Sequence, residues 1–225
     1  MMTNLFSNFD PSSSIISIQM NWLSMTLILL IIPMKIWLTP SQQLTVWNKI
    51  LLLINQELKT IMIPKKSMGL QIIMLSMFSM ITLNNSMGLL PYIFTSTSHI
   101  LFNLSLALPL WMTLMLYGWM NFTNHMFTHM VPQSTPPILM PFMVMIETIS
   151  NIIRPWTLAI RLTANMIAGH LLMTLLGSSG SNCNISKTLI TINIQFLLIT
   201  LELAVALIQA YVFTVLSSLY SSEIN

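Results

Sequence analysis

Long apolar runs alternate with short polar breaks along this chain. The first run, Ile16 to Leu38, carries no charge until Lys35, and Trp22 and Trp37 lie near its ends, where interfacial aromatics belong. Pro33 falls in its last turns, where it would kink a helix. The next stretch has a different rhythm. Leu44, Trp47, Leu51, Ile54, Leu58 and Ile61 recur at helical spacing, with Thr45, Asn48, Lys49, Gln56 and Lys59 on the other faces. This predicts an amphipathic helix over 41–63, capped by Ser41 and stopped by Pro64, lying in a membrane interface. Apolar spans are predicted over 69–90 and 99–120, separated by Pro91 and the polar run Thr95 to Ser98. Residues 121–135 read as a loop, and Pro132, Pro136, Pro137 and Pro141 discourage regular helix up to about Pro141. Two long helical stretches follow, 142–176 and 187–219, joined by a Gly/Ser/Asn turn over 177–186. A helix of about 30 residues rises about 45 Å, so each must tilt strongly to stay within a bilayer.

Composition agrees with the pattern. Of 225 residues, 55% are hydrophobic and 6% charged, far below the roughly 25% of a soluble domain. No Asp, Glu, Lys or Arg occurs between Lys66 and Glu147, an uncharged run of 80 residues. The expected fold is therefore an all-α membrane protein of one domain, 1–225. It has about five membrane-embedded helices and one interfacial helix, and the last two form a long, strongly tilted hairpin.

The net charge of +3 is not a nucleic-acid signal. Lys35, Lys49, Lys59, Lys65 and Lys66, five of the eight basic residues, cluster after the first span, as in a loop held on the positive-inside face of a membrane. That places the N-terminal segment, 1–15, on the less positive side and the C-terminus on the inner side. Neither a signal peptide nor an Arg-rich transit peptide is expected within Met1 to Asn21. Cys183 is the sole cysteine, so the chain has no internal disulfide. The 21 methionines match the bias of a mitochondrial code that reads an extra codon as Met.

Chemistry concentrates in the last two helices. Glu147, Arg154 and Arg161 are spaced seven apart and share a helix face, with about 20° of drift per heptad. Gln195, Glu202 and Gln209 repeat that spacing on the partner helix. Arg161 is embedded among Leu158, Ala159, Ile160 and Leu162, where a charge costs about 2.5–3.5 kcal/mol on insertion scales. Arginine cannot escape by losing its proton. A fixed positive site of this kind holds a nearby carboxylate ionised and repels protons. Histidine is the side chain whose unperturbed pKa lies near neutrality, so His170 and Glu202 form a candidate proton relay. Ala164, Ala168 and Gly169 offer a small face on which another helix can approach closely. The register between the two helices stays open: a symmetric turn sets Glu202 beside Arg161, and a slide of a turn or two sets Gln209 there. Other motifs are weak. His125 and His129 lack a third ligand, four Asn-x-Ser/Thr sequons match chance in this composition, and there is no P-loop or GxGxxG for a nucleotide.

These residues carry a resemblance. The run Arg154 to His170 (Arg-Pro-Trp-Thr-Leu-Ala-Ile-Arg-Leu-Thr-Ala-Asn-Met-Ile-Ala-Gly-His) resembles subunit a of F-type ATP synthases in its mitochondrially encoded form. So do Ile208 to Phe213, Asn85 to Tyr92 and the opening Phe9-Asp10-Pro11, so the likeness spans essentially the whole chain. It implies a proton-translocating stator in the mitochondrial inner membrane, beside a ring of c subunits, with peripheral-stalk and small membrane subunits as further partners. It implies no cofactor, no metal, no nucleic acid, and ATP chemistry elsewhere in the complex. Arg161 matches the arginine that faces the ring. His170 and Glu202 match the access half-channel, and Asn85 a residue lining it. Glu147 matches the exit half-channel, and Asn165 and Gln209 match polar residues flanking the arginine. Bacterial relatives often carry the carboxylate and histidine of the access pair the other way round. Trp156 and Ser134 stand where relatives usually have Gly. The competing expectations are a subunit of another proton pump or transporter, and a membrane scaffold with structural ion pairs.

Overall fold

A computed structural model describes residues 5–12, 19–27, 32, 39–62, 68–90, 93–131, 136, 138–180 and 185–224. Among these residues every regular element is helical: α1 Leu23–Leu27, α2 Gln42–Ile61, α3 Met68–Gly88, α4 Ile100–Asn121, α5 Thr123–Met130, α6 Met140–Gly180 and α7 Ile185–Ile224. Short 3-10 turns occupy Leu5–Phe9, Met20–Trp22 and Ser96–Ser98. Four helices (α3, α4, α6 and α7) are long and apolar enough to cross a membrane. The span predicted over 16–38 lies mostly outside the described residues, apart from the turn at Met20–Trp22 and α1.

Helix α2 begins where its cap dictates. Ser41 has extended backbone, and its hydroxyl accepts the Leu44 N–H at 3.3 Å, satisfying one of the orphan donors of the first turn. Its apolar stripe is not left to lipid alone. Ile54, Leu58 and Met62 are buried with Met74, Phe78 and Ile81 of α3 and with Ala210 and Phe213 of α7. The Tyr211 hydroxyl of α7 also faces the Glu57 carboxylate of α2.

The core of the bundle is built on small residues. Ala159 of α6 and Ala210 of α7 have no exposed surface, and Thr214, Ser217, Ser218 and Ser221 extend the small stripe of α7. Small side chains let backbones approach closely, which matters where lipid removes the hydrophobic drive between helices. Their hydroxyls turn back onto the preceding helical turn, as in Ser217 to Thr214 O (2.9 Å) and Ser221 to Ser218 O (2.7 Å), so the stripe brings in no unpaired donor. Ser217 also lies 3.0 Å from Met74 Sδ, joining α7 to α3.

Two predicted boundaries move. The loop expected over 121–135 contains α5, because Met126 buries itself against Leu114 with Met115 and Trp119 packed around it. Phe127 adds an edge-on contact with Trp119 (centroids 5.1 Å), so two apolar side chains anchor eight residues that read as polar. The turn expected over 177–186 narrows, since α6 stays helical to Gly180 and α7 starts at Ile185. Pro141 sits in the first turn of α6, where a missing N–H breaks no helical bond. With 41 residues, α6 is about 60 Å long, twice the roughly 30 Å of a hydrocarbon core.

Overpacking tests this core. Ala159→Leu forces a branched side chain into a site with no exposed surface, and the expected loss is about 1–3 kcal/mol. It should appear as a lower thermal midpoint of the assembled protein in detergent, and an unchanged midpoint would contradict the packing described.

Candidate functional site

The register of α6 against α7 follows from three glycines and small residues along the seam. A Cβ built on Gly169 would lie 2.5 Å from Glu202 Oε1, one on Gly177 would lie 3.7 Å from Gln195 Nε2, and one on Gly180 would lie 3.5 Å from Thr191 Oγ1. These partners have position numbers summing to 371, 372 and 371, the signature of one continuous antiparallel register. Extending it sets Gln209 opposite position 162, next to Arg161, and moves Glu202 eight residues away from the arginine. Of the two registers left open by the sequence, the slid one holds.

Gly169 is therefore the floor on which the Glu202 carboxylate rests. Any side chain there would occupy the carboxylate's own place. Glu202 is buried, and its Oε1 has no hydrogen-bond partner among the described residues; the same holds for His170 Nε2, one position along α6 from Gly169. Buried polar atoms without protein partners are ordinarily satisfied by water. His170 lines a cavity of about 1240 Å³, ample for many waters, together with Asp10, Asn21, Thr95, Thr174 and Gln195. The ring of Phe9 meets His170 edge-on, with centroids 6.3 Å apart.

Polar groups also gather under the turn that closes α3 onto α4. Asn84 Oδ1 accepts from Ser96 (3.4 Å), and Asn103 Nδ2 donates to Thr97 O (2.7 Å). Asn85 is 1% exposed, and neither atom of its amide has a partner among the described residues. It has the hydration demand of His170 and Glu202, although it is not among the residues lining the large cavity.

A second cavity, of about 230 Å³, opens near the N-terminal end of α6. Glu147, Asn151, Arg154, Tyr220, Glu223 and His129 are on its walls. Arg154 sits 3.8 Å from Glu147 and 2.8 Å from Glu223, and its guanidinium lies 4.9 Å from the centre of the Tyr220 ring. Half of the Glu223 side chain is exposed, so this is a solvated network and not a buried clamp. Sequence reasoning singled out Glu147 but missed Glu223 and Tyr220. They lie 69 and 66 positions from Arg154, and only the register of the hairpin could have pointed to them.

Arg161 lies on the wall of neither cavity. Along α6 it is 14 residues from Glu147 and nine from His170, about 21 Å and about 14 Å of helix. It is exposed and makes no ion pair with any described residue. Ile160, Ala164 and Ala168 are exposed beside it, whereas Leu158, Ala159, Leu162 and Thr163 turn inward. The charged group thus sits on an outward, partly small-residue strip of the bundle. Asn165, one turn beyond, and Gln209 are half-buried at this level. Trp156 is 46% exposed, so its bulk displaces nothing inside the chain. Ser134 lies outside the described residues.

The fold and these sites define a class: a polytopic helical membrane protein with polar-lined pockets toward the two ends of one long helix and a fixed charge between them. The chain belongs to the ATP synthase A chain family, whose model matches residues 18–222. It is 61% identical to ATP synthase subunit a of Drosophila simulans, 60% to that of Aedes aegypti and 59% to that of Anopheles quadrimaculatus, in each case over 100% of both chains.

The Gly169–Glu202 contact has a direct test. Gly169→Ala must push the carboxylate aside, and proton-coupled activity should fall about tenfold or more while the helices still assemble. The rate of potential-driven ATP synthesis in reconstituted vesicles measures it; a rate equal to the parent would mean that Glu202 does not depend on this seat.

Proposed function

We propose that the two cavities are offset half-channels and that protons pass between them only by riding on a rotating ring of c subunits. Family membership makes the chain a proton-translocating membrane subunit of an ATP synthase. The finer reading rests on one arrangement: His170 lines one cavity, Glu147 lines the other, and Arg161 lies on α6 between them while lining neither.

Protons arrive at His170 and pass by way of Glu202, one residue from it across the hairpin, to a carboxyl group on the ring. Asn85, Asn165 and Gln209 supply hydrogen bonds to the waters and side chains on this route. After the ring has turned, the proton leaves past Glu147 through the inner cavity. Arg161 blocks the direct line. Its charge cannot be discharged by deprotonation, so a proton crossing straight from one cavity to the other meets a repulsive centre. A ring carboxylate passing Arg161 is instead held ionised, ready to load on the access side. Desolvation sets the strength of that pairing, because an arginine in a membrane needs a counter-charge. The exposed strip bearing Arg161, with Ala164 and Ala168, is the surface against which ring helices can come close.

The ring, the peripheral stalk and small membrane subunits are the partners of this reading, and the mitochondrial inner membrane is its location. ATP is formed outside this chain; the membrane potential supplies about 2.3 kcal/mol per proton for each 100 mV, and this chain routes the protons that carry it.

Arg161→Ala is the decisive variant. Potential-driven ATP synthesis should fall below about 1% of the parent in reconstituted vesicles, and Arg161→Lys should fail as well, since a lysine at this site can shed its charge. A scaffold role predicts normal synthesis in both variants, and that outcome would sink the half-channel reading.

A further inference from the structure

The cavity lined by His170 is walled on one side by the N-terminal segment, and this outer cavity carries the exposed Asp10 on that wall. Ser7, Phe9, Asp10 and Ser12 lie on its wall opposite His170, Thr174 and Gln195. The segment is fixed in place. Asn21 donates to the Asp10 backbone carbonyl at 3.4 Å, and the Phe9 ring abuts His170. The Asp10 carboxylate accepts the Ser12 N–H at 3.1 Å through Oδ1, which orients the group while leaving it exposed. That backbone hydrogen bond keeps the Asp10 carboxyl below its ordinary range, so it is ionised at neutral pH.

Among the described residues, Asp10 is the only acid on the wall of this cavity, and no Lys or Arg lies there. The groups facing it are His170 from α6, the neutral Gln195 from α7, and uncharged residues of α1, α3 and the 93–95 segment. Proton supply is scarce at such a site. At about 10⁻⁷ M protons, an encounter rate near the diffusional limit of about 10¹⁰ M⁻¹s⁻¹ delivers only about a thousand protons per second. Negative charge at the mouth of a low-dielectric cleft raises the local concentration of a cation and its arrival rate.

We propose that Asp10 is the proton-collecting carboxylate of the outer cavity, concentrating protons at the exposed wall it shares with Phe9 and His170. It is a positioning and steering residue, since the proton transfers themselves fall to His170 and Glu202. The inference rests on reading the outer cavity as the access half-channel.

Asp10→Asn is the variant of choice, because the amide oxygen can still accept the Ser12 N–H. The intact complex in vesicles would be driven by an imposed potassium potential while the pH on the cavity side is varied at about 10 mM salt. At about pH 6 the variant should match the parent. At about pH 8 it should be about three- to tenfold slower, and about 0.3 M salt should erase the difference by screening the parent's carboxylate. Asp10→Glu should behave as the parent. A merely structural role would give one constant ratio at every pH and salt concentration; that result, or equality throughout, overturns the proposal. If Asp10→Asn does not assemble, the parent alone decides: added salt must slow synthesis at about pH 8 and not at about pH 6, and the absence of that difference overturns the proposal too. Thr174→Trp separates the two readings by placing a bulky ring on the cavity wall one helical turn from His170. Undiminished synthesis in that variant sinks the access reading itself, whereas a blocked Thr174→Trp with a pH-independent Asp10→Asn sinks only the role of Asp10.

Discussion

A positive charge that cannot be discharged, held at the middle of a helix too long for the bilayer it crosses, is the constraint on which this structure turns. Arg161 gains nothing from its own chain: no described acid reaches it, and the residues flanking it on the exposed strip are apolar or small. The insertion cost of about 2.5–3.5 kcal/mol must therefore be offset from outside the chain. The acids of α6 and α7 are kept away from it. Glu147 is engaged with Arg154 toward the N-terminal end of α6, and Glu202 is seated on Gly169 toward its C-terminal end. In the proposed half-channel reading, a pairing of Glu202 with Arg161 would have neutralised the site and left nothing for a passing ring carboxylate.

The seat at Gly169 shows how backbone geometry serves electrostatics. Two helices carrying polar residues at seven-residue intervals match each other equally well after a slide of seven. The pattern leaves the register degenerate, and the steric fit of a carboxylate over a missing Cβ removes the degeneracy. Once that contact is fixed, the seam continues through Gly177 and Gly180, Gln209 arrives beside the arginine, and Glu223 comes within reach of Arg154 at the far end. One glycine thus sets the level of the acid and the amide on α7 relative to the charge on α6.

Much of this was legible in the chain. Uncharged apolar runs leave few alternatives to helices in lipid, where every backbone polar group must be satisfied internally, and the cap at Ser41 is a local signal that holds in three dimensions. The charged positions were legible because buried charge is rare enough to stand out. What could not be read depends on contacts between distant segments. Helix α5 is ordered by Met126 on Leu114, a contact invisible in a window rich in Thr, Asn and His. The register sets Glu223 opposite position 148, and the long side chains of Arg154 and Glu223 close the remaining offset, which no spacing in the chain announces. The N-terminal Phe9 and Asp10 have no periodicity to mark them, yet they line the same cavity as His170.

The account depends most on the two cavities opening to opposite sides of the membrane, and thiol accessibility tests that directly. In a Cys183→Ser background, Thr174→Cys reports on the outer cavity and Thr148→Cys on the inner one. In sealed, oriented vesicles holding the whole complex, a membrane-impermeant thiol reagent should label Thr174→Cys only from the side of the N-terminal segment and Thr148→Cys only from the opposite side. Labelling of both positions from the same side would contradict two half-channels separated by Arg161.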